Sequence, residues 1–142
     1  QLMAHPFISQ AAPKSTGREM FNLAWLEQQL SDFNLTAVDV QATLVSFTAQ
    51  SLTGAIKKLN QPVDEVYICG GGVFNDELVA QLQTALGSTP LHSTQRLGLD
   101  PTWVEACAFG WLAHQRINNL PGNLPSVTGA SREAVLGALY LP

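Results

Sequence analysis

Apolar residues recur at helical spacing in the first part of the chain and predict two amphipathic helices. The stripe of the first helix consists of Phe21, Trp25, Leu26 and Leu30. The Thr-x-x-Glu sequence at 16–19 is typical of a capping box and places the start of this helix there. The second helix is expected from Thr36, which can form a cap together with Asp39, to about Leu59.

A short β-rich run, Val66–Cys69, predicts a buried strand that leads into a glycine turn. Gly70, Gly71 and Gly72 follow it directly, and Asn75 is then a suitable N-cap for a helix that ends at Leu86. Such a turn leaves backbone N–H groups bare, so a ligand can approach the main chain. From these residues alone, a ligand site and a simple tight turn are both open.

The apolar pattern of the last third of the chain predicts a second strand and a buried helix. The strand covers 90–93, and Asp100 followed by Pro101 is typical of a helix start. The segment from Thr102 to Ile117 is apolar on nearly all sides, which is typical of a buried element. Glu105 then either closes a capping box with Thr102 or is a buried carboxylate that needs a partner.

The order of these elements favours an α/β fold of one domain, a small sheet covered by helices. In such folds ligands bind beyond the carboxyl ends of the strands, which is where the glycine turn falls. The chain has a net charge of −4 and no cluster of Lys or Arg, which argues against nucleic acid as a partner. No apolar run is long enough to cross a membrane.

The composition also bears on the cellular compartment and on whether the chain is a piece of a longer protein. Charged residues make up only 13% of the chain and apolar ones 46%. The chain begins with Gln1, so we expect a piece of a longer protein with apolar surface meant for the rest. Cys69 and Cys107 lack CxxC spacing and predict neither a metal site nor a disulfide framework. They fit a reducing cytoplasm, where buried cysteines act as small apolar residues.

Six segments in order resemble the C-terminal part of the anhydro-N-acetylmuramic acid kinases. They are PKSTGRE (13–19), QATL with TA (41–49), YICGGG-x-x-N (67–75), LGLDP (97–101), EA-x-AF-x-WLA (105–113) and LPSVTGA (124–130). Each segment is weak alone, but six in register are specific and cover nearly the whole chain.

The resemblance implies that residues 1–142 are the C-terminal lobe of a two-lobed, actin-like sugar kinase with ribonuclease-H-like lobes. It implies that ATP and water convert 1,6-anhydro-N-acetylmuramic acid to N-acetylmuramic acid 6-phosphate in peptidoglycan recycling in the cytoplasm. By the same match, Gly70, Gly71, Gly72 and Asn75 lie against the adenosine end of ATP. Glu105 becomes a carboxylate that contacts the sugar.

The family's phosphate-binding loop and its catalytic aspartate have no counterpart in these residues. The resemblance therefore implies that a missing N-terminal lobe supplies catalysis and holds most of the Mg²⁺–phosphate contacts, and that the fragment alone is inactive. It also implies a homodimer. A related sugar kinase with another carbohydrate substrate and a non-catalytic domain that binds a nucleotide or a partner are the alternatives. The sequence assigns no role to Lys14, His92 or His114.

Overall fold

The structure is a computed structural model that describes residues 1–140. It confirms an α/β chain with a small sheet and helices. The helices are α1 (Pro6–Ser9), α2 (Leu23–Leu30), α3 (Ala37–Lys57), α4 (Asp76–Leu86), α5 (Val104–Ile117) and α6 (Pro125–Thr128), and the strands are β1 (Val66–Ile68) and β2 (Leu91–Ser93). The apolar pattern also allows a last short strand or helix from Val135 to Leu141; residues 135–140 form neither, and Leu141 lies outside the described residues.

The sheet and the packed helices form one β1–α4–β2 unit with α3 alongside. The two strands run parallel, with Tyr67 opposite His92. Parallel strands need a crossover between them, and α4 supplies it. Leu82 and Leu86 of α4 are buried, as is Ala49 of α3, so the core lies where these two helices pack. This core supports the strand that ends at the glycine turn.

Two predicted helix caps are confirmed. Thr36 and Asp39 form a reciprocal capping box at the start of α3, and the Thr36 side-chain oxygen accepts from the Asp39 N–H at 3.2 Å. Asn75 caps α4, since its Oδ1 accepts from the Leu78 N–H at 3.0 Å. Such caps stabilise a helix by about 1 kcal/mol, because they satisfy N–H groups that have no partner within the helix.

The predicted start of the first helix is wrong. Glu19 turns back, and its Oε1 accepts from the Gly17 N–H at 2.8 Å instead of closing a box with Thr16. The helix begins at Leu23, where Asn22 Oδ1 accepts from the Trp25 N–H at 2.9 Å. Asn is a stronger cap than Thr, and it satisfies the N–H groups at a later point in the chain.

The region before α2 is a cluster of aromatic side chains held by a lysine. Phe21 packs edge-on against Trp25, and the His5 ring lies 4.8 Å from that of Phe21. Lys14 Nζ donates to the Phe7 carbonyl at 2.7 Å and lies 4.5 Å from the centre of the Phe7 ring. Lys14 therefore stabilises the N-terminal segment by a hydrogen bond and a cation–π contact.

The start and the burial predicted for the last long helix are also wrong. Asp100 caps a turn before α5, because its Oδ1 accepts from the N–H of Thr102 at 2.8 Å and from its hydroxyl at 2.7 Å. These two bonds hold the pKa of Asp100 below its usual range. The helix proper begins at Val104, and none of its residues, all of which lie within 1–140, is buried.

Both cysteines are exposed, Cys69 after β1 and Cys107 on α5, which corrects the expectation that they are buried apolar residues. No helix among residues 1–140 is long and apolar enough to cross a membrane. Within the same residues, no group of three or more His, Cys, Asp or Glu side chains is placed to hold a metal ion.

Candidate functional site

The glycine turn begins with a backbone conformation that other residues rarely adopt. Gly70 has φ 78° and ψ −178°, a region populated almost only by glycine. Residues Gly71–Phe74 then form one turn of 3₁₀-helix before Asn75. The first N–H groups of a helix have no intrahelical partner, so those of Gly71 and Gly72 are the donors that a ligand could meet. Gly70 is thus needed for the shape of the turn. Gly71 and Gly72 present backbone N–H groups with which a ligand could form hydrogen bonds.

The turn is open on the side where side chains would stand. A Cβ atom built on Gly70 or Gly71 would meet no atom within 4 Å. On Gly72 the same atom would come to 3.4 Å from Leu78 Cδ2 of α4. Side chains of the described residues therefore do not plug the turn at its first two glycines, and a flat ligand can reach the backbone there.

A backbone hydrogen bond ties the turn to the segment that leads into α5. The Gly70 N–H donates to the Pro101 carbonyl at 2.8 Å, and Pro101 is buried. Glu105 lies four positions after Pro101, in the first turn of α5. The predicted nucleotide and sugar residues therefore belong to two neighbouring pieces of the chain, although they are far apart in sequence.

Asn75 is occupied mainly by its role as a helix cap. Its Oδ1 already accepts from the Leu78 N–H, so its amide NH₂ is the group left to meet a ligand. Asp76 and Glu77 follow in the first turn of α4. Their negative charges offset the partial positive charge of the helix N-terminus and disfavour a phosphate there. The turn therefore suits an uncharged ligand better than an anion.

Glu105 matches neither of the two alternatives that its sequence position allowed. The Thr102 hydroxyl donates to Asp100, and Trp103 is the N-cap of α5, so no capping box forms with Glu105. The carboxylate is exposed, so it does not need a partner to offset burial. An exposed carboxylate at the start of α5 can accept hydrogen bonds from the hydroxyl groups of a sugar.

One exposed residue beside the turn was missed by the sequence analysis. Phe74, at the end of the 3₁₀ turn, is 69% exposed. A phenyl ring that lies in water next to an open main chain can stack on a flat aromatic ligand. An apolar residue inside a polar glycine turn was the signal that could have found it.

A set of polar side chains on and beside the two strands was also missed by the sequence analysis. Tyr67 and His92 face each other across the sheet with their ring centres 5.8 Å apart. The Tyr67 hydroxyl donates to Glu65, which lowers the pKa of that carboxyl and raises the pKa of Tyr67 itself. His92 is hydrogen-bonded to Arg96. Tyr67 with Glu65 and His92 with Arg96 thus form two separate hydrogen-bonded pairs.

A partly open apolar cavity of about 280 Å³ lies next to the turn, between the strands and the helices α3 and α4. Its wall includes Leu52 and Ile56 of α3, Leu82 of α4, and both Cys69 and Gly72. With so few polar groups, the cavity offers little to orient a ligand. It marks loose packing between the helices and the sheet.

Comparisons with known proteins show the family of this chain. The family model described as anhydro-N-acetylmuramic acid kinase matches residues 1–142. The chain belongs to the anhydro-N-acetylmuramic acid kinase family. It is 54% identical over 141 residues to the anhydro-N-acetylmuramic acid kinase of Shewanella sp. strain MR-4. It is 52% identical over 143 residues to the anhydro-N-acetylmuramic acid kinase of Saccharophagus degradans strain 2-40.

The match covers nearly all of this chain and only part of each relative. In both alignments it spans 99% of the chain and 38% of the relative's length. The chain therefore spans a little more than a third of the length of these relatives.

Proposed function

We propose that this chain is the nucleotide-binding part of a kinase that converts 1,6-anhydro-N-acetylmuramic acid, ATP and water to N-acetylmuramic acid 6-phosphate and ADP. The observation that carries the proposal is the family match over residues 1–142, within which the open glycine turn lies. We further propose a ribonuclease-H-like, C-terminal lobe of a cytoplasmic, two-lobed enzyme that acts in peptidoglycan recycling.

In this proposal, the glycine turn holds the purine and ribose of ATP. Gly71 and Gly72 supply N–H donors, Gly70 gives the turn its shape, and the Asn75 amide lies at the rim. Glu105 accepts hydrogen bonds from the sugar. The phosphate loop, the catalytic aspartate and most contacts to Mg²⁺ come from a second lobe. Phosphoryl transfer depends on positioning and on charge stabilisation around the γ-phosphate, so the two lobes must meet.

The proposal is tested by measuring ADP release by the full-length protein that contains these residues. We expect release with 1,6-anhydro-N-acetylmuramic acid and none above the ATP-only blank with glucose or N-acetylglucosamine. Release with another sugar in place of the anhydro sugar would indicate a related sugar kinase instead. No release with any sugar would favour a non-catalytic binding domain. The 142-residue chain alone is expected to phosphorylate nothing.

Gly71→Ala is expected to raise the KM for ATP by about three- to tenfold, which corresponds to roughly 0.7–1.4 kcal/mol of lost binding. The added methyl group meets no protein atom within 4 Å, so it affects a bound nucleotide rather than the fold. Gly54→Ala in α3 is the matched control, because its Cβ also meets no atom within 4 Å. An unchanged KM in Gly71→Ala would remove the nucleotide from this turn.

A further inference from the structure

One face of α5 is apolar and exposed. We call it the Trp face, and it consists of Trp103, Ala106, Cys107, Gly110 and Trp111, with Trp103 as the N-cap of the helix. These residues are three, four, seven or eight positions apart and therefore share a side of the helix. All of them are exposed. Trp103 is 65% exposed and Trp111 is 53% exposed.

The described part of the chain covers a different side of α5. Gln115 Nε2 donates to the Pro121 carbonyl at 2.7 Å, which folds the following loop back onto the helix. A Cβ on Gly122 would lie 3.1 Å from Leu112, so this loop packs closely there. Leu112 is also part of a cavity with Leu136 and Leu139. The residues that follow α5 thus pack on its Leu112 side, and the Trp face is exposed to solvent.

The composition of the Trp face is that of a buried contact. It carries no charged side chain. Tryptophan side chains bury about 150–250 Å² each when they are covered, so two of them offer a large apolar area. Gly110 and Ala106 have little or no side chain, which lets another backbone approach the helix closely. A helix that is apolar nearly all round belongs in the interior of a larger fold.

We propose that the Trp face packs against another region of the same polypeptide, outside these 142 residues. This inference rests on the proposal that the chain is one part of a longer kinase. The relatives supply its candidate occupant, since 62% of their length (100% less the 38% covered) has no counterpart here. The partner is therefore an apolar surface of the remaining polypeptide, joined covalently to this chain.

The test is the rate at which a maleimide labels Cys107 in the full-length protein. A variant that keeps Cys107 as its sole thiol is labelled in buffer and again in denaturing urea. We expect labelling in buffer to be slower than in urea by roughly tenfold or more, because a packed side chain reacts only when the structure opens. The control is Glu27→Cys on α2 as the sole thiol. Glu27 is exposed and, unlike the Trp face, charged, so we expect this position to stay in water in the full-length protein and to label at similar rates in both.

Two outcomes would overturn the inference. Equally fast labelling of Cys107 in buffer and in urea would mean that nothing covers the Trp face. Protection that belongs only to an oligomer, and is lost in monomers isolated by size-exclusion chromatography, would assign the face to a second copy. Protection in a monomer supports it. The readout requires neither ATP nor sugar, so it can succeed or fail independently of the kinase assay.

Discussion

Leu82→Ala is expected to lower the free energy of unfolding by about 2–4 kcal/mol. Leu82 is 5% exposed and lies in α4, in the core that this helix forms with α3. It also lines the apolar cavity beneath β1, so its removal would enlarge a space that is already there. The loss combines the transfer of the side chain to water with the energy of the larger cavity. Urea unfolding followed by circular dichroism measures it.

Val38→Ala is the matched control for that experiment. Val38 is in α3 but is 77% exposed, so its truncation should change the free energy of unfolding by about 0.5 kcal/mol or less. Equal losses in the two variants would contradict the placement of the core between α3 and α4. They would mean instead that the Leu82 side chain is no better packed in the folded protein than that of Val38.

Local hydrogen-bond patterns explain which helix boundaries could be predicted. Thr36 and Asp39 have the spacing of a capping box, and no nearby group competes for their donors, so the prediction was confirmed. Thr16 and Glu19 have a similar spacing, but Glu19 accepts from Gly17 and Asn22 provides another cap six residues later. Spacing identifies a set of candidate caps, whereas the choice among them depends on which donors the fold leaves free.

The exposure of α5 could not be predicted from its own residues. Its all-round apolarity indicated an interior helix, yet within residues 1–140 no layer covers it on all sides. Apolar composition shows that burial would be favourable, but what buries a helix is a property of its surroundings. A sequence pattern therefore describes the helix correctly while leaving its partner unspecified.

At the glycine turn, too, features formed by neighbouring residues could be predicted, whereas a contact between residues far apart in sequence could not. The strand, the three glycines and the Asn75 cap follow one another in sequence, so their order could be predicted, although β1 is half-buried rather than buried and the 3₁₀ turn was not foreseen. The bond from Gly70 to Pro101 joins residues that are far apart, and no local pattern indicates it. That bond holds Pro101, three residues before α5, against the turn. The candidate role of Glu105 comes from the family resemblance and not from a local pattern.

Glu105→Gln is expected to lower kcat/KM for the anhydro sugar by about ten- to a hundredfold, since hydrogen bonds to a charged group contribute roughly 1.5–3 kcal/mol. The glutamine keeps the size of the side chain and removes its charge. The KM for ATP should change by about twofold or less, because we place the nucleotide against the glycine turn rather than α5. Glu105 is exposed, so stability should not change.

The separation between sugar and nucleotide effects makes this variant informative. Glu27→Gln removes an equally exposed carboxylate on α2 and should leave both parameters unchanged. If Glu105→Gln raised the KM for ATP as much as it lowered sugar use, the carboxylate would act on the shape of the turn through the Pro101–Gly70 bond. If it changed neither, Glu105 would have no part in binding, and the sugar would have to be held by other residues.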